Sequence, residues 1–232
     1  MKFFIKSFIC GIALLCFCGN SAAEDSTQES AARWADAMKN FQTWDSKNSF
    51  PKDAVLFVGS SSIVRWKTRE CFPDLPVINR GFGGSIYSDI IYYADIVIFP
   101  YDPKLIVLYS GGNDPLRGKS PEDIRNDFLK LAGMIHQKYP KTPILVMAVR
   151  SCYKRQSLWP QVARTNELLK EIADKDKMIW FFDSDSIAKD KDGNPDPAYF
   201  LDDQLHLNAE GYKVLTESIR PMINKLLKKS KK

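Results

Sequence analysis

Five short apolar runs recur along the chain without polar alternation, at residues 54–58, 76–78, 105–109, 144–149 and 178–182. Each is rich in β-branched or aromatic residues, the pattern of strands covered on both faces rather than strands with one wet face. Between them the period changes to that of helices. Ile124, Phe128, Leu131 and Ile135 recur on one side of a helix opened by Ser120, Pro121, Glu122 and Asp123: a cap, a first-turn proline and first-turn acids. Residues 159–173 and 209–227 read as two more helices, the last capped by Asn208. A leading helix over about 28–46 carries Ala31, Trp34, Ala35, Met38, Phe41 and Trp44 at mostly helical spacing, and residues 47–52, with Pro51, end it. Alternating strands and helices predict the α/β class, with a mainly parallel sheet covered by helices on both faces. No repeat or linker interrupts residues 28–227, so one domain is expected.

The first residues follow another pattern. Lys2 and Lys6 precede an apolar run from Phe8 to Phe17, and Ser21-Ala22-Ala23 follows it. These are the charged region, apolar core and small-residue cleavage site of a secretory signal. The run is shorter than the roughly 20 residues of a bilayer-spanning helix, so no stable membrane insertion is expected after cleavage. Residues 1–23 are therefore read as a signal peptide, leaving 24–232 as a single domain in the periplasm or outside the cell. Lipoprotein anchoring through Cys18 is the alternative, and the bulky Phe17 before it argues against that.

Loss of Lys2 and Lys6 lowers the formal net charge from +5 to +3. Lys225, Lys228, Lys229, Lys231 and Lys232 crowd a basic tail over about 225–232, which reads as a solvated end. The charge forms no nucleic-acid footprint. Cys10, Cys16 and Cys18 leave with the signal; Cys71 and Cys152 remain, and export permits a bridge between them without establishing one. No CxxC or histidine-rich spacing suggests zinc. The run Asp190-Lys191-Asp192-Gly193-Asn194 resembles a calcium loop, but Ala188 and Tyr199 stand where acidic ligands are required. It reads as a polar turn.

Four segments carry candidate chemistry: Gly59-Ser60-Ser61-Ser62, Gly81-Phe82-Gly83-Gly84-Ser85, Gly111-Gly112-Asn113-Asp114 and Asp203-Gln204-Leu205-His206. Three serines are ordinarily just a loop, but Val55–Val58 runs straight into these and a helical stretch follows. A hydroxyl and free amides would then stand at a strand-to-helix turn. The glycine-rich second segment is either a permissive turn or a place where a substrate oxygen can approach backbone N–H groups. Asn113 either satisfies its own turn or donates its NH₂ to an oxyanion. Only two histidines exist, His136 and His206. His136 falls inside an amphipathic helix. His206 stands three residues after Asp203, a span that lets a carboxylate reach Nδ1 and leaves Nε2 as a base. Asp202 competes one position back.

Taken in order, these blocks resemble the SGNH (GDSL-type) hydrolase superfamily, in a bacterial branch where the first block reads Gly-Ser-Ser-Ser-Ile. Further matching text includes the stretch from Val77 to Ser85, Tyr93-Ala94-Asp95, and the stretch from His206 to Tyr212. The resemblance spans roughly Trp34 to Leu227. It implies a flavodoxin-like, three-layer α/β/α sandwich with a five-stranded parallel sheet. It also implies a Ser61–His206–Asp203 triad and an oxyanion hole formed by the Ser61 and Gly84 N–H groups with the Asn113 side chain. Ser60 stands where the family's aspartate would be, which removes a carboxylate beside the nucleophile. Val149-Arg150-Ser151-Cys152-Tyr153 lacks the branch's usual proline. The implied activity is hydrolysis of short-chain acyl esters, with small-molecule or glycan esters as substrates and a mechanism that needs neither metal nor organic cofactor. Trp66, Tyr153 and Trp159 are candidates for a rim that accepts sugar rings, or else core residues. A lysophospholipase or acyl thioesterase is the alternative, and a catalytically silent glycan-binding protein the rival from another class.

Overall fold

The computed structural model describes residues 32–229; the leader and the last lysines of the tail lie outside them. Helix α1 (Ala35–Asp45) comes first, followed by strand β1 (Val55–Gly59) and two short helices, α2 (Ser61–Arg65) and α3 (Thr68–Cys71). Strand β2 (Val77–Gly81) leads to α4 (Tyr87–Tyr92) and α5 (Ala94–Val97), then β3 (Leu105–Tyr109) and the long α6 (Pro121–Lys138). Strand β4 (Ile144–Met147), α7 (Trp159–Lys175), β5 (Ile179–Phe182) and α8 (Ala209–Lys229) complete the chain.

The five strands form one all-parallel sheet in the order β2-β1-β3-β4-β5. Successive strand side chains point to opposite faces, and each face has its own core. Leu56, Val58, Ile106, Leu108, Ile144 and Val146 meet Ile124, Phe128, Leu131 and Ile135 of α6, with Met38 of α1 in the same cluster. Val55, Phe57, Leu105, Val107, Leu145 and Met147 meet Leu215, Ile219, Ile223 and Leu226 of α8. The three-layer α/β/α sandwich follows from this division.

The sequence signals act locally as expected. Ser120 Oγ accepts the Asp123 N–H while the Asp123 carboxylate accepts the Ser120 N–H, closing a capping box at the start of α6. Asn208 Oδ1 accepts the Gly211 N–H in the first turn of α8. The expected start of the leading helix, at about residue 28, lies outside the described residues; within them the helix runs over Ala35–Asp45. Trp66 is no rim residue. It is 1% exposed, packs among Phe57, Phe72 and Tyr212, and donates its indole N–H to Thr216 Oγ1 at 3.0 Å. Cys71 and Cys152 are both free thiols, and burial raises the pKa of Cys152. Among the described residues no helix is long and apolar enough to cross a membrane.

The strand order decides where a site can form. The chain steps from β1 outward to β2, then returns past β1 to β3, so connections leave β1 and β3 in opposite directions. The crevice at their C-terminal ends is the topological switch point where open α/β sheets bind ligands.

Candidate active site

Gly59 ends β1 with φ +148, and a Cβ there would lie 2.0 Å from the Tyr109 carbonyl oxygen. Only glycine lets β1 and β3 stay in register up to the turn. Ser60 then caps α2, its carbonyl accepting the N–H groups of Ile63 and Val64. As the first helical residue, Ser61 has no intrahelical partner for its own N–H. The three serines diverge. Ser62 is buried, its Oγ taking a guanidinium N–H of Arg150 and its carbonyl the Tyr212 hydroxyl. Ser61 Oγ lies 2.9 Å from His206 Nε2.

His206 is held from its other side. Its Nδ1 lies 2.6 Å from Asp203 Oδ2, while Asp203 Oδ1 accepts the backbone N–H groups of Leu205 and His206 at 3.0 and 2.9 Å. One carboxylate therefore closes the turn and fixes the imidazole. With Nδ1–H donated to Asp203, Nε2 carries the lone pair that faces the Ser61 hydroxyl. The bond to the imidazole, followed by the backbone bonds, holds the Asp203 carboxyl well below the usual range, so it stays ionised. Asp202 is exposed. The turn is pinned to the body through Leu201 N–H to His206 carbonyl at 2.8 Å and a bridge between Phe200 and Leu207.

Asn113 follows β3 and leads a 3₁₀ turn, Asp114–Arg117. Its Nδ2 donates to the Ser85 carbonyl at 3.0 Å, which leaves the second amide proton uncommitted. Its Oδ1 accepts from Arg155 Nη2 at 2.8 Å, and Arg155 Nη1 donates to the neighbouring Gly112 carbonyl. The amide is thus gripped at both ends. Gly84 sits at φ +78 in the turn before α4, a conformation favouring glycine.

Ser61, Asn113 and His206 share a small cavity of about 30 Å³ with Arg150, Arg155, Cys152 and Trp159. Gly84 does not line it. Neither arginine has a carboxylate within 4 Å among the described residues. Arg150 is 6% exposed, lies over the Tyr109 ring at 4.5 Å, and keeps Nε and Nη1 without partners. A buried cation of this kind favours negative charge developing nearby. Both arginines were missed by sequence reasoning: nothing distinguishes them from surface arginines except their place in the loop following a buried strand. That loop is braced without the proline, by Asn166 on both backbone groups of Val149 and by Asp185 on Ser151. Behind Asn113, Asp114 is fully buried, and burial pushes its carboxyl up to about 7. His136 is half-buried in α6 and has no part in this cluster.

The model of the GDSL-like lipase/acylhydrolase family matches residues 61–214, from the serine that meets His206 to the second turn of α8. The chain belongs to this family. It is an ester-bond hydrolase with the SGNH fold. Several solved structures share its architecture. A Streptococcus pneumonia protein described provisionally as a platelet activating factor superposes with a TM-score of 0.75 at 19% identity, covering 88% of this chain and 100% of its own. A GDSL-like lipase from Bacteroides thetaiotaomicron gives 0.68 at 18% identity, covering 81% and 97%. An acetylxylan esterase from Geobacillus stearothermophilus gives 0.59 at 15%, covering 74% and 94%. At these identities the likeness is one of fold. No curated protein matches the chain.

Proposed function

We propose that this GDSL-family hydrolase is an exported serine esterase that removes short acyl groups, with O-acetylated carbohydrate as its substrate class. The observation that carries the reading is the continuous relay Asp203–His206–Ser61, with bonds of 2.6 and 2.9 Å, standing at a cavity of about 30 Å³. A cavity of that size exceeds the roughly 10–15 Å³ that one water needs and suits an acetyl group far better than an alkyl chain. In this reading Ser61 Oγ attacks the ester carbonyl as His206 Nε2 takes its proton, and ionised Asp203 stabilises the imidazolium. The oxyanion takes the Ser61 N–H and the free amide proton of Asn113; the Gly84 N–H, which the family resemblance adds, belongs to a turn that does not line this cavity. His206 returns its proton to the leaving alcohol, then activates the water that releases the acyl group from Ser61. The leader pattern around Lys2, Lys6 and Ser21-Ala22-Ala23 supports export.

The test uses p-nitrophenyl esters. Wild type should act best on acetyl to butyryl esters, and Ser61→Ala should abolish turnover with circular dichroism unchanged. Persistent activity in Ser61→Ala, or a maximum at ten or more carbons, counts against the reading; the second result favours a lipid acylhydrolase.

A further inference from the structure

A second cavity lies beside the Asp203–His206 turn. It is a groove of about 380 Å³ lined by Tyr153, Gln156, Pro197, Phe200, Leu201 and Gln204. Its size falls within the range of small-ligand clefts, about 300–1,000 Å³. Sequence neighbours line the two spaces: Cys152, Arg155 and Leu205 the first, Tyr153, Gln156 and Gln204 the second. Gln204 lies inside the Asp203–His206 turn and its carbonyl accepts the Lys154 N–H at 3.2 Å. The Tyr153 ring tilts against Trp159 with centroids 5.8 Å apart, and Trp159 lines the cavity at Ser61.

The lining has a consistent chemistry. None of its six residues carries a charge. The Gln156 and Gln204 amides and the Tyr153 hydroxyl make no hydrogen bond to other described residues, so three polar groups stand uncommitted around an apolar floor of Pro197 and Phe200. Each amide offers a donor and an acceptor, and the tyrosine adds an apolar ring face and a hydroxyl. A molecule that presents hydroxyls at its edges and C–H groups on its faces uses every one of these groups. A phosphate or carboxylate finds no cation here, and an alkyl chain leaves both amides idle. The larger groove of about 700 Å³ on the other side of Leu201 differs, being lined by Arg65, Lys67, Glu70, Lys213 and Arg220 among others.

We propose that the uncharged groove is the subsite for the alcohol part of the ester, and that this alcohol is a neutral sugar ring of an acetylated oligosaccharide. This rests on Ser61 acting as the nucleophile. With acetate at Ser61, the ester oxygen leads across the Gln204 and Tyr153 wall into the groove, where stacking on Tyr153 and bonds to Gln156 and Gln204 position the leaving sugar.

The experiment compares kcat/KM for acetylated xylooligosaccharide and for p-nitrophenyl acetate in wild type, Gln156→Ala, Tyr153→Ala and the double variant. Acetylated pectin and lysophosphatidylcholine serve as anionic-glycan and lipid alternatives. The ratio of glycan ester to p-nitrophenyl ester should fall about tenfold in the double variant, mainly through KM, as loss of a stacking face and a neutral hydrogen bond implies. Gln156→Ala alone, an exposed change that does not threaten folding, should lower it about threefold. An unchanged ratio overturns the subsite, as does preference for pectin or lysophospholipid. A wild-type enzyme that hydrolyses p-nitrophenyl acetate through Ser61 but leaves the oligosaccharide untouched also overturns it. If instead Ser61→Ala keeps full activity, the nucleophile assignment fails, which is a separate result.

Discussion

Arg155 is expected to act on the reaction through Asn113, and Arg155→Met isolates that role. The guanidinium holds Asn113 Oδ1 at 2.8 Å while the Ser85 carbonyl holds Nδ2 at 3.0 Å. A flipped amide would set its oxygen against the Ser85 carbonyl and its NH₂ against a cation, so the two partners enforce one orientation. In that orientation the remaining amide proton is free to serve an oxyanion. A hydrogen bond to a charged group contributes about 1.5–3 kcal/mol, and that much of the preference disappears with Arg155. The Ser85 anchor survives. A single oxyanion donor is worth about 10²–10³ in rate, so weakening one without deleting it should lower kcat about 10- to 100-fold. KM should move only a few-fold, because the lost interaction belongs to the transition state.

The assay is a double-mutant cycle on p-nitrophenyl acetate, with Tm recorded for every variant. Asn113→Ala alone should cost about 10²–10³ in kcat. Once the Asn113 amide is gone Arg155 keeps only its bond to the Gly112 carbonyl, and adding Arg155→Met should cost less than about threefold more. Equal costs of Arg155→Met in both backgrounds would refute the argument, since Arg155 would then be acting on the substrate directly. A rise in KM with kcat unchanged would refute it as well.

Two further outcomes follow from the same geometry and a third from the leader sequence. Asp203→Asn should lower kcat by about 10²–10⁴, since an amide cannot stabilise the imidazolium and favours the wrong tautomer, whereas Asp202→Asn should change it only a few-fold; comparable losses would exchange their roles. Asp114 should make the fold less stable as pH rises: burial lifts its carboxyl from 3.8 to about 7, so the folded state binds a proton through that window that the unfolded state has released. Asp114→Asn keeps the acceptor for the Tyr87 N–H and cannot ionise, so chemical denaturation should show it more stable than wild type at pH 8, on the order of a few kcal/mol, with the difference gone near pH 4. Mass spectrometry of the protein from a periplasmic fraction should find Glu24 at the N-terminus; an intact leader or a lipid-modified Cys18 would remove the expected signal cleavage.

The sheet was legible because its strands are buried on both faces. Leu105–Tyr109 is fully buried at every position, so its apolar run needs no partner to be recognised as a central strand. The edge strand Val77–Gly81 runs three residues past the apolar run at 76–78, where Asn79 and Arg80 look like the start of a loop. Both are retained by bonds that no local pattern announces: Asn79 to the carbonyls of Ile63 and Trp66, and Arg80 to Asp45 and Tyr101. The same reason hid Trp66. An indole after a five-residue helix reads equally as rim or core until α8, 150 positions later, supplies Thr216 as its partner.

The candidate site divides along the same line. Asp203 and His206 are three residues apart, and their contact is a property of one turn, so spacing makes them candidates while leaving Asp202 as a competitor. Ser61 and His206 are 145 residues apart, and ordered motifs bring them together only through a family resemblance that already contains the fold. Arg155 has neither aid. It reaches Asn113 across 42 positions from an irregular 3₁₀ segment, with a non-helical backbone at Arg155 itself. Such residues answer to the shape of one loop, and that loop is where this chain departs from the branch by lacking its proline. The family machinery is carried by short spacings and strand ends. The arginine that grips Asn113 and the uncharged groove beside Tyr153 are built from contacts that exist only once the sheet has closed.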